Sequence, residues 1–130
     1  MVTMLKPLIV RPKPKISYRK KNNYVFFGNQ LVQETSQVDF EDLGDGYGKS
    51  RTNIYYDGIL VGKAQPHIFQ VLGGGYAKDL NHVFFEGELV TNAQPYRFEV
   101  LQDGYAKDYS HVYQHGIVLV GVSPFAFQPP

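Results

Sequence analysis

The chain has no cysteine and no tryptophan among its 130 residues. Without cysteine, disulfides and thiolate metal centres are excluded outright. No run approaches the ~18 apolar residues that a membrane-spanning helix needs. The N-terminal Leu-Lys-Pro-Leu-Ile-Val stretch is too short and too interrupted by proline for a secretory core of about 7–15 apolar residues. A soluble, cytoplasmic protein without membrane contact is therefore expected. Helix-period patterning is also missing. Thirteen glycines and eight prolines punctuate the chain, which favours short strands and tight turns.

Acid is absent from the first 33 residues, where Lys6, Arg11, Lys13, Lys15, Arg19, Lys20 and Lys21 give +7. Twelve acids against six bases make the remainder −6. The net charge of +1 thus hides a basic arm on an acidic body. Nucleic acid is not expected as a partner, because most of the surface would repel phosphate. The Arg-Pro-Lys-Pro-Lys stretch at 11–15 reads as a solvated arm stiffened by proline.

What is abundant is repetition. The stretch GYAKDLNHVFFEGELV at 75–90 returns at 104–119 as GYAKDYSHVYQHGIVL. With Tyr18, Tyr47, Tyr76 and Tyr105 in one column, four units of 29 residues, the last cut to 26, align without insertion. The third position is always Lys (Lys20, Lys49, Lys78, Lys107) and the eighth β-branched (Val25, Ile54, Val83, Val112). The ninth is Phe26, Tyr55, Phe84 or Tyr113, and the twenty-third is Phe40, Phe69, Phe98 or Phe127. Leu8, Ile9 and Val10 are placed to cap the exposed edge of the first unit.

Each unit reads as an antiparallel meander. YAKD is a strand, with Asp79 and Asn81 supplying turn chemistry at its end. HVFF at 82–85 is a second strand, and ELV at 88–90 a third. Between these two come two-residue turns: Asp57-Gly58, Glu86-Gly87, His115-Gly116, and a reversed Gly28-Asn29. Pro66, Pro95 and Pro124 open a short turn or single 3₁₀ turn. The expected fold is all-β, with about twelve strands in four meanders forming an open stack; a closed four-bladed propeller-like ring is the alternative. The terminal Pro129-Pro130 favours the stack, since proline cannot continue a central strand. The organisation is an arm at 1–17 and one domain at 18–130, divided 18–46, 47–75, 76–104 and 105–130.

The repeated Tyr76–Leu101 and Tyr105–Val118 phrases resemble the bacterial DKNYY family, whose tandem units run Tyr-x-Lys-Asp-Lys-Asn-x-Val-Tyr-Tyr-x-Gly. The likeness covers roughly residues 18–127. Lys21 and Ser50 stand where that family has Asp, and Gln37 where later units have Pro. Asn22, Arg51, Leu80 and Tyr109 replace the Lys that follows. The resemblance implies a bacterial β-repeat protein and carries over no activity and no functional residue.

Catalytic motifs do not stand out: there is no Gly-x-Ser-x-Gly elbow and no His-Glu-x-x-His. Asp79/His82 and Asp108/His111 recur one repeat apart, but nothing in their spacing imposes a tetrahedral site. The acids at 39–45 lack EF-hand spacing. Neither glycine cluster, at 44–48 or 73–75, leads into a helix that could hold phosphate. The chain is expected to be no enzyme and to need no metal or cofactor.

Positions shared by every unit are packing or turn requirements, so recognition belongs to those that vary. The candidate binding residues are Tyr96, Tyr109 and Phe125 as aromatic anchors, and Asp103 and Asp108 as steering charges. The function expected is a non-catalytic module that binds a protein, as an immunity or inhibitor protein does a basic toxin domain. The alternatives are a glycan-binding repeat using a Tyr/Lys ladder and a structural interaction module. In the bland reading of that ladder, the rings pack between units and the lysine heads stay solvated. The partner's identity and the oligomeric state are not legible.

Overall fold

The computed structural model describes residues 16–130. The expectations for the basic arm, including the Leu8–Val10 cap, lie outside the described residues apart from Ile16 and Ser17. Among the described residues, fifteen short strands form four antiparallel sheets. The first holds β1 (Tyr18–Lys21), β2 (Tyr24–Phe27) and β3 (Gln30–Leu31). The second holds β4 (Glu41–Gly44), β5 (Tyr47–Lys49), β6 (Ile54–Tyr56) and β7 (Ile59–Val61). A 3₁₀ turn, Pro66–Ile68, precedes the third: β8 (Gln70–Gly73), β9 (Tyr76–Lys78), β10 (Val83–Phe85) and β11 (Glu88–Leu89). The fourth holds β12 (Glu99–Val100), β13 (Tyr105–Lys107), β14 (Val112–Gln114) and β15 (Ile117–Leu119). Among the described residues no helix is long and apolar enough to cross a membrane.

The extra strands correct the expected count of twelve. The stretch closing one repeat is itself a strand, hairpinned onto the tyrosine strand of the next: β4 on β5, β8 on β9, β12 on β13. Each of these sheets therefore begins inside the preceding sequence repeat, which ties neighbours together covalently and by ladder hydrogen bonds. The hairpin turns are as expected. Asp57-Gly58, Glu86-Gly87 and His115-Gly116 all have both residues at positive φ (48° and 80°, 47° and 79°, 47° and 76°). That is the condition for the type I′ turn, whose twist matches that of paired strands.

Successive strand residues face opposite sides of the sheet, and here both sides are buried. In the third sheet Ala77 sits opposite Phe84 and Tyr76 opposite Phe85. Ala77 and Phe84 point back into a core with Tyr47, Ile54 and Val61 of the second sheet. Tyr76 and Val83 point forward into a core with Ala106 and Tyr113 of the fourth. A third core joins Val25, Val32 and Phe40 to Tyr55. The sheets thus stack in an open series, each sharing a core only with its neighbours in sequence, and none closes on another.

The twenty-third-position phenylalanines fill these seams. Their rings lie 4.7, 5.4, 5.4 and 5.3 Å from Tyr18, Tyr47, Tyr76 and Tyr105 respectively. The first three also meet the ninth-position ring of the next unit, at 5.7–5.9 Å. Phe40 and Phe98 are buried, while Phe69 and Phe127 are half-buried. Among the described residues no further sheet packs over Phe127.

Candidate binding edge

An antiparallel meander puts alternate connections at opposite edges. One edge, the turn edge, carries the type I′ turns and with them Asp45, Asp57, Glu86 and Asp103. The other, the loop edge, carries the connections at 50–53, 79–82 and 108–111 and the longer loops that include Pro66, Pro95 and Pro124.

The recurring residues serve architecture at both edges. At the turn edge the hydroxyls of the first three column tyrosines each donate to the closing glycine of their own repeat and accept from the turn glycine of the next. Tyr18 does so with Gly46 (2.7 Å) and Gly58 (3.0 Å), Tyr47 with Gly75 (2.8 Å) and Gly87 (3.1 Å). Tyr76 does so with Gly104 (2.8 Å) and Gly116 (2.9 Å). Burial pushes the hydroxyls of Tyr18, Tyr47 and Tyr76 up from the ordinary tyrosine value, against the lowering effect of the donated glycine N–H. Tyr47 and Tyr76 are fully buried, so they offer no ring face to a sugar, and the Tyr/Lys ladder loses its platform. The lysine heads are not simply solvated either. Lys78 Nζ donates to the carbonyl of Pro95 at 3.0 Å, and Lys107 Nζ to that of Pro124 at 3.2 Å.

Asp108 is corrected from steering charge to buried acceptor. It is 4% exposed, and one carboxylate oxygen accepts the N–H groups of Ser110 and His111 at 2.8 Å. The other accepts the Gln94 N–H of the preceding loop at 2.9 Å and the Tyr113 hydroxyl at 2.8 Å. Burial alone would raise its pKa, but these four bonds outweigh it and hold the carboxyl below its ordinary value. The same carboxylate raises the Tyr113 hydroxyl further, on top of burial. Asp79 repeats the pattern with Asn81, His82 and Gln65. His82 Nδ1 lies 3.1 Å from Asp79, but among the described residues no three His, Asp or Glu side chains converge as metal ligands would. Asp103 is exposed in a turn at the opposite end of β13 from Tyr109. Asp103 therefore does not join the aromatic candidates, whereas Asp108 borders a small groove with Arg97, Tyr109 and Phe125 but has its carboxylate already engaged.

The aromatics themselves do come together. Tyr96, Tyr109 and Phe125 are 78%, 59% and 76% exposed on the loop edge of the third and fourth sheets. Tyr109 meets Phe125 edge-on at 5.7 Å. Arg97, which the repeat pattern does not single out, stacks on both tyrosines, its guanidinium carbon 5.4 Å from the Tyr96 centroid and 5.7 Å from that of Tyr109. Beside them opens a groove of about 770 Å³ lined by Leu80, Pro95, Tyr96, Arg97, Tyr109 and Ser110. A signal for Arg97 is present in its column, where Asp39, Ile68 and Ala126 stand in the other units. That variation equals the variation in the columns of Tyr96 and Tyr109.

No curated protein and no solved structure matches the chain. The family model of the DKNYY family matches residues 13–88, through the first two repeats and into the third. That is more than half the chain, and it agrees with the repeat spacing and with the meander each unit forms: the chain belongs to the DKNYY family.

Proposed function

We propose that this DKNYY chain is a non-catalytic module that binds a protein through the loop edge of its third and fourth sheets. One observation carries the reading: Tyr96, Tyr109 and Phe125 are exposed on one edge, Tyr109 against Phe125 and Arg97 against both tyrosines, while the recurring Tyr and Phe columns are buried or half-buried. Tyrosine and arginine dominate the energetics of protein interfaces, and two-torsion rings lose little entropy on contact. The nearby groove gives a partner's side chain somewhere to enter. In its narrowest form the reading makes the chain an immunity or inhibitor protein that covers a toxin domain. Contact then rests on the aromatic edge, with the exposed acids of the turn edge facing away.

The test is capture of a partner from source lysate, followed by association and dissociation kinetics of variants. Tyr109→Ala and Phe125→Ala are expected to speed release by ~1–3 kcal/mol, while Asp103→Lys leaves it unchanged. Equal kinetics for the aromatic variants, with Asp103→Lys impaired, would place the contact on the turn edge. Retention of a neutral glycan in place of a protein would replace the reading altogether.

A further inference from the structure

We infer that Arg97 is the receptor for a partner's carboxylate, an inference that rests on the protein-binding reading of the same edge. Arg97 is exposed, and among the described residues it makes no hydrogen bond and no ion pair. Its contacts are with two rings, 5.4 and 5.7 Å from the guanidinium carbon, and neither spends an N–H donor in a hydrogen bond. Its backbone is also unusual. Arg97 has φ +74°, in the left-handed region, whereas Asp39, Ile68 and Ala126 at the same repeat position do not. Ten other non-glycine residues share that region, most of them in turns, so what marks Arg97 is the departure from its own repeat column.

A planar cation held against two rings beside a groove, with its donors unpaired, suits the planar two-oxygen geometry of a carboxylate. Leu80 and Pro95 in the groove wall add apolar surface. The occupant is therefore an acidic side chain of a protein with an apolar neighbour.

The probe is the peptide acetyl-Leu-Asp-Asp-Leu-amide, titrated at millimolar concentration into the full ¹⁵N-labelled chain. Acetyl-Leu-Lys-Lys-Leu-amide and inorganic phosphate are the comparisons. The acidic peptide is expected to shift the Arg97 Nε–H and the amides of 96–97 and 109–110. Arg97→Gln removes the response and Arg97→Lys keeps only part of it. Equal response to the lysine peptide, equal response to phosphate, or a response elsewhere would overturn the assignment. In the captured complex, fast release from Tyr109→Ala but normal release from Arg97→Gln would overturn the carboxylate assignment alone. Normal release from both would overturn the edge.

Discussion

The hydroxyl of Tyr47 donates to the carbonyl of Gly75 at 2.8 Å, across one repeat of chain, and accepts from the Gly87 N–H at 3.1 Å. One side chain thus closes its own unit and grips the turn of the next. Tyr47→Phe keeps the ring and removes both bonds, so a loss of about 1–3 kcal/mol is expected for the stranded polar groups. Tyr105, whose hydroxyl has no such partner among the described residues, provides the control, and Tyr105→Phe is expected to leave the melt nearly unchanged. Equal losses in urea titrations of the two variants would contradict the stitching role.

Gly87 is required for space as well as for its turn. It has φ +79°, and a Cβ there would meet the Cβ of Tyr56 at 2.7 Å. Gly121 has nearly the same φ, +80°, with nothing within 4 Å. Both alanine variants carry the backbone strain, but only Gly87→Ala adds overpacking of about 1–3 kcal/mol. The difference between their unfolding free energies measures the contact between sheets, and equal losses would show that the sheets do not press together there.

Asp108 and Asp103 have the same side chain and opposite fates. Asp108→Asn replaces an acceptor of four bonds by a group that can accept only at one atom, so about 1–3 kcal/mol of stability is expected to go. Asp103→Asn, in an exposed turn at φ +57° that Asn tolerates, is expected to stay within about 0.5 kcal/mol. Equal effects on the urea midpoint would return Asp108 to the surface.

The pH dependence has a sign on each side. The raised hydroxyls of Tyr18, Tyr47, Tyr76 and Tyr113 contribute stability that is complete below the unfolded tyrosine value of about 10 and is lost as pH rises through their folded values. Tyr56, pushed up to about 12 by burial and by the charges of Asp57, Glu86 and Asp45, follows the same course. The lowered Asp108 contributes stability present above its unfolded value and lost as pH falls through its folded one. Circular dichroism should show a stable plateau between these limits, with alkaline unfolding accompanied by tyrosinate absorbance. Full tyrosinate absorbance from a chain whose dichroism is still native would contradict the buried hydroxyl pairs.

The repeat, its strands and its turns are legible in the sequence because each depends on local chemistry: alternation, β-branched and aromatic residues, and Asp-Gly-type pairs. The fourth strand of a sheet is not, because its partner lies across a repeat boundary that alignment treats as a break. Tyr109, Tyr96 and Phe125 stand out as departures from the column pattern, and the fold brings them together. Asp108 misleads because a recurring acid can be an Asx-type turn acceptor as readily as a surface charge. Its kinship with Asp79, which takes the equivalent bonds, is the available clue. Arg97 varies across the units as much as its neighbours do, and what separates it from them, its contact with two tyrosine rings, needs the fold.

The most direct test of the binding edge is hydrogen exchange of the chain alone and in complex with its captured partner. Exchange reports local opening along the backbone and needs no substitution that could disturb the fold. The account predicts added protection at 93–97, 109–111 and 123–127, with the turns at 45–46, 57–58 and 86–87 unchanged. Protection confined to those turns, with the aromatic loops exchanging as in the free chain, would contradict it.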